Sequence, residues 1–202
     1  MVVTSIRRVG LFGGSFDPPH VGHLAIAEFV ANERQLDEIL FVVSHIQWQK
    51  AADRKMLDSR HRFEMVKLAI SNVDYFSASS LEIDRGGDSV TLETLESLHA
   101  QDPTAEYELI IGEDIASTLS TWRRSEELEI YADIVVVGRP GFRSDAAEQN
   151  FNFVFAKGPQ VNISSQEIRS AIKSGLPISH LVPEEVEKYI RSEGLYSEGL
   201  YR

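Results

Sequence analysis

Short apolar runs rich in β-branched residues alternate with longer amphipathic stretches along this chain, and that alternation most narrows what it can fold into. Residues 8–12, 38–43, 106–112 and 134–138 are the apolar runs. They are too short for helices and apolar on both faces, as strands are when helices cover both sides of a parallel sheet. Helical periodicity fills the intervals. It starts at His20, with Leu24, Ala27, Phe29 and Val30 on one side, and recurs over 59–71 and 90–101. Strand, helix, strand in repetition predicts βαβ units. Residues 75–83 and 151–155 read as further strands. The glycine pair in 84–87 marks a turn. Helices are expected over 113–119, 125–131, 165–174 and 183–193. The expected architecture is one doubly wound, mostly parallel α/β domain over 1–202, with a small helical C-terminal part from about residue 160.

Charge and composition remove several function classes. The 202 residues carry a formal charge of -11, the wrong sign for a non-specific nucleic-acid binder or for an anionic membrane surface. A small polyanion stays compatible, because a few cations and helix N-termini can make a local positive pocket. The chain has no cysteine, so disulfides, thiolate chemistry and cysteine zinc sites are excluded. With no signal-like segment and no long apolar run, a cytoplasmic protein is expected. A homo-oligomer stays open.

In a doubly wound sheet the ligand loops follow the carboxyl ends of the strands. The first such loop, residues 13–23, reads GGSFDPPHVGH. Gly13 and Gly14 permit backbone conformations closed to other residues and let the chain approach a ligand, with Ser15 and Phe16 following. His20 and His23 share one face of a helix's first turn, where unpaired N–H groups and the dipole already favour anions. Gly22 between them leaves room for a ligand over the backbone. Two imidazoles at this spacing can also be surface or capping residues, or a metal pair with Asp17 nearby.

Two more segments carry chemistry. After the run at 106–112, Gly112 frees a loop and Asp114 can cap a helix or hold a ribose hydroxyl. Trp122 lies among polar neighbours, either as a plate for a planar base or as a half-buried packing residue. Near the C-terminus, Ser164 and Ser165 precede a helix whose first N–H groups can hold an anion, with Arg169 one turn on. Ser164 with Glu167 also fits a simple capping box.

Together these strings resemble a known family. Residues 13–23 are similar to the GGxFDPxHxGH signature of nicotinate and nicotinamide mononucleotide adenylyltransferases, within the HxGH nucleotidyltransferases that are akin to class I aminoacyl-tRNA synthetases. Residues 112–128 resemble its GxDxxxxxxxWxxxEEL segment, 89–95 its SYTxxTL helix start, and 161–169 the superfamily's ISSTxIR motif. Residues 181–196 resemble its closing LVPxxVxxYI, and 44–50 the QPWQK string of its actinobacterial branch. The resemblance covers nearly the whole chain, in order. It implies a Rossmann-like nucleotidyltransferase fold and transfer of AMP from ATP to nicotinate mononucleotide in NAD biosynthesis. Magnesium would travel with the ATP, and no protein metal site is implied. It further implies that His20, His23, Lys50 and Arg169 stabilise charge on the phosphates. Gly13, Gly14, Ser15, Phe16, Gly22, Gly112, Asp114, Ser164 and Ser165 would bind ATP, and Thr91, Trp122 and Trp48 the acceptor. Thr91 can also be a helix N-cap. The rival readings are another HxGH transferase (a phosphopantetheine adenylyltransferase or a cytidylyltransferase), a non-catalytic nucleotide-binding module and a synthetase fragment.

Overall fold

The structure is a computed structural model that describes residues 6–46, 56–138, 150–159 and 161–197. In chain order the elements are β1 (Arg8–Gly14), α1 (Val21–Arg34), β2 (Glu38–Val43), α2 (Ser59–Ile70), β3 (Phe76–Ser79), α3 (Leu81–Arg85), α4 (Thr91–Gln101) and β4 (Glu106–Gly112). There follow α5 (Glu113–Ala116), α6 (Leu128–Tyr131), β5 (Asp133–Val137), β6 (Phe153–Ala156), α7 (Ser165–Lys173) and α8 (Glu184–Ser192). Six strands form one sheet in the order β3-β2-β1-β4-β5-β6. Its direction of growth reverses between β1 and β4, as in doubly wound folds. Leu11 pairs with Leu109, Ile110 with Val135 and Val136 with Phe155, all in parallel register. Among the described residues no helix is long and apolar enough to cross a membrane.

The chain divides into two compact units. One comprises Met1–Gly13, Ile26–Leu40 and Val90–Gln160. Its core is aliphatic: Leu11, Ile39, Leu92, Leu95, Leu109, Ile110 and Ile134 to Val136 are all at most 2% exposed. Such burial on both faces explains why the strands read as continuous apolar runs. Glu108 is the charged exception. At 3% side-chain exposure it accepts from Arg8 Nη2 at 2.5 Å and from Arg34 Nε at 2.8 Å. Those carboxylate contacts hold the Arg34 guanidinium above its ordinary pKa.

The other unit comprises Gly14–Ala25, Phe41–Ser89 and Val161–Arg202. Here Met65 of α2 packs with Ile168 of α7, Val186 and Ile190 of α8, and Tyr196. Asp58 caps α2 by accepting from the Arg60 backbone N–H at 2.9 Å.

Strands β2 and β4 have the expected boundaries, but the expected strand at 75–83 ends early. Asp84 N donates to Ser80 O at 2.8 Å and Ser80 Oγ to Asp84 Oδ2 at 2.6 Å, and these local bonds turn the chain into α3. The turn after it falls on the glycine pair. Gly86 and Gly87 both have φ of 70°, which only glycine adopts at little cost.

Candidate active site

The first loop departs from the expectation for its glycines. β1 runs on through Gly13 and Gly14, and neither is left-handed. The positive φ of the loop, 45°, falls on Phe16. Its ring is 1% exposed and packs against His23 and Phe41, with centroids 5.1 and 5.7 Å away. A Cβ on Gly14 would meet that ring at 3.0 Å, so the missing side chain there serves Phe16. The Phe16 ring therefore has no surface for a nucleotide, and only its backbone does. The space over Gly22 is likewise filled. A Cβ there would lie 2.6 Å from Val161 Cγ1 and 3.0 Å from His20 Nδ1.

His20 and His23 are arranged as a unit. Their rings stack with centroids 3.6 Å apart and planes at 23°. The His20 backbone N–H donates to His23 Nδ1 at 3.1 Å, and the His23 N–H donates to His20 Nδ1 at 3.3 Å. An Nδ1 that accepts a hydrogen bond carries a lone pair, so each neutral ring holds its proton on Nε2. The first turn of α1 thus fixes two imidazoles in the tautomer that donates from the ring's far side. His20 is 6% exposed and His23 half-buried.

The same loop is gripped from several elements of its own unit. Ser165 Oγ donates to Pro18 O at 2.8 Å, and Arg169 Nη1 to Asp17 O at 2.7 Å. Tyr196 Oη donates to the fully buried Asp17 carboxylate at 2.7 Å. Arg62 Nη1 donates to Ser15 O at 2.7 Å. So Ser165 and Arg169, expected at the phosphates, hold loop carbonyls here. Ser164 caps α7 in a full capping box with Glu167, as the spacing allowed. Arg62, Asp17 and Tyr196 were missing from the sequence-based site. The signal for Arg62 was its position on the stripe of α2 that also holds Met65 and Val66.

In the other unit, Gly112 is the N-cap of α5 with ordinary extended φ and ψ of -76° and 156°, so glycine's freedom is not used there. Asp114 is half-buried in the first turn of α5 but makes no side-chain cap. Val90, not Thr91, caps α4, which places half-buried Thr91 at the first helical position. Trp122 ends a single 3₁₀ turn and is half-buried. Its Nε1 is buried and has no hydrogen-bond partner among the described residues. Beside it, Arg124 bonds the carboxylates of Glu127 and Glu96, which push its guanidinium well above the usual value. Trp48 and Lys50 lie outside the described residues. Among those described, no group of three His, Asp or Glu side chains is arranged to hold a metal ion.

A doubly wound parallel sheet whose first strand leads into a paired-histidine helix turn is the frame of a nucleotidyltransferase, and residues 11–171 match the cytidylyltransferase-like family. Within that class the chain belongs to the nicotinate-nucleotide adenylyltransferases. It is 38% identical over 191 residues to the nicotinate-nucleotide adenylyltransferase of Bacillus subtilis, covering 95% of this chain and 99% of the relative. In fold it is similar to the Plasmodium falciparum nicotinic acid mononucleotide adenylyltransferase complexed with NaAD. That likeness has a TM-score of 0.77 at 20% identity, over 94% of this chain and 97% of the other. The same enzyme complexed with APC gives 0.75 at 19% identity, with the same coverage.

Proposed function

We propose that this chain, as one cytoplasmic transferase domain, moves the adenylyl group of ATP onto nicotinate mononucleotide. The products are nicotinate adenine dinucleotide and pyrophosphate. The observation that carries this reading is the stacked His20–His23 pair, both Nδ1 atoms tied to backbone N–H groups, in a chain 38% identical to a named family member. An oxygen of the acceptor's 5′-phosphate attacks the α-phosphorus of ATP in line. The bond from that phosphorus to the bridging oxygen of the β-phosphate breaks, and the electron pair leaves with pyrophosphate. The attacking phosphate is already ionised at neutral pH, so no general base is needed. The protein supplies alignment and stabilisation of developing charge.

In this reading the Nε2–H groups of His20 and His23 donate to the triphosphate. The Ser165 N–H opening α7 donates to phosphate oxygens, with Ser164 setting that helix end through its capping box, and Lys50 and Arg169 add positive charge. The backbone of Gly13, Gly14, Ser15 and Phe16 lines the nucleotide, and Gly22 allows the close packing that sets His20. Gly112 and Asp114 hold the adenosine part. Thr91, Trp122 and Trp48 take the acceptor, with the pyridine ring stacked on Trp122. Magnesium belongs to the nucleotide substrate, since phosphate oxygens supply its ligands. The test is pyrophosphate release with ATP, magnesium and one acceptor at a time. Nicotinate mononucleotide is expected to support it. Release only with phosphopantetheine or a cytidine substrate would refute the assignment.

A further inference from the structure

Arg62 is the largest side chain among the fully buried ones and is 1% exposed. A buried guanidinium is costly unless its N–H groups are matched by acceptors, and main-chain carbonyls on three separate segments are among those here. Nη1 bonds Ser15 O at 2.7 Å, Nη2 bonds His45 O at 3.1 Å and Nε bonds Leu57 O at 2.9 Å. Ser15 follows β1, His45 follows β2, and Leu57 precedes α2, so one planar fork ties together the loops at the carboxyl ends of two neighbouring strands.

We infer that Arg62 is a positioning residue for adenylyl transfer, which sets the backbone of the 13–23 loop through its bond to the Ser15 carbonyl. In a trans peptide the C=O and the following N–H point in opposite directions. Drawing the Ser15 carbonyl toward Arg62 therefore fixes where the Phe16 N–H points. It also braces the one residue of the loop with a left-handed backbone, Phe16 at φ 45°, a conformation that persists only when its surroundings impose it. Lysine cannot replace this action. Its ammonium is a single point on a flexible stem and cannot hold three diverging carbonyls in one plane. The role goes through the loop, since Arg62 has no surface from which to touch a substrate.

The kinetic consequence rests on the adenylyltransferase reading, and the test separates the two. Wild type, Arg62→Lys, Arg62→Met and the control Arg60→Ala, at the exposed neighbour on the same helix, are compared in thermal unfolding, kcat and KM for both substrates. Hydrogen exchange of amides 14–17 is followed alongside. Arg62→Lys is expected to stay folded, with kcat down about 10- to 100-fold and KM nearly unchanged, the pattern of a misplaced loop. Amides 14–17 are expected to exchange faster while those of α8 do not, and Arg60→Ala should match wild type. Native kcat and native loop exchange in Arg62→Lys would overturn the inference. So would a loss that tracks the unfolded fraction, or failure of both Arg62 variants to fold, since either makes Arg62 a stability residue only. Absent turnover by wild type would instead refute the activity, and with it the kinetic role, while the exchange data still decide whether Arg62 holds the loop.

Discussion

Gly22→Ala is a small change with a large expected effect. The new Cβ would lie 2.6 Å from Val161 Cγ1 and 3.0 Å from His20 Nδ1. Reaching ordinary contact at 3.4 Å requires about 0.8 Å of relative movement against Val161, from 3.4 minus 2.6, and about 0.4 Å against the imidazole. Two stability terms oppose one another. Overpacking of this kind costs about 1–3 kcal/mol, and alanine improves helix propensity over glycine by about 1 kcal/mol. The net is about 0–2 kcal/mol, or a fall in Tm of at most about 8 °C for a chain of this size. Catalysis has no such offset. A donor displaced by a large fraction of an ångström from a developing charge should lower kcat by about 10- to 100-fold. Calorimetry and steady-state pyrophosphate release on the purified variant measure both. Adding Val161→Ala removes the nearer clash and is expected to restore much of kcat. Turnover by Gly22→Ala within about twofold of wild type would refute the account of how α1 sets His20.

Other substitutions probe the remaining parts. His20→Ala and His23→Ala should each lower kcat/KM by about 10²–10³ with folding retained, checked by kinetics and circular dichroism. Trp122→Ala should weaken acceptor binding by about 1–3 kcal/mol in titration and spare ATP affinity. A stability loss of about 3–5 kcal/mol with normal acceptor affinity would make Trp122 a packing residue instead. Glu108→Gln replaces the carboxylate that two arginines share, and denaturant unfolding should show a loss of roughly 2 kcal/mol with kcat unchanged.

The strands were legible because helices cover both faces of the sheet, so β2 and β4 could be placed from their apolar runs alone. β3 was not fully legible. Bonds between Ser80 and Asp84 stop it, and such side-chain and turn contacts leave no periodic trace. The motif loop was legible as a ligand site but not in its physics. Glycine suggested unusual backbone angles, whereas Gly14 and Gly22 are small because Phe16, Val161 and His20 occupy the space where a Cβ would go. The partners that hold the loop were hidden for another reason. Tyr196 and Arg169 meet Asp17 from positions 179 and 152 residues away, and no local pattern reports contacts at such separation.

The central claim concerns which bond of ATP breaks and where the adenylyl group goes. ATP labelled at the α-phosphorus, incubated with magnesium, nicotinate mononucleotide and the enzyme, is expected to leave its label in a dinucleotide while pyrophosphate appears unlabelled in equal amount. Label recovered only as free AMP, or γ-phosphate released without a dinucleotide, would contradict adenylyl transfer by this chain.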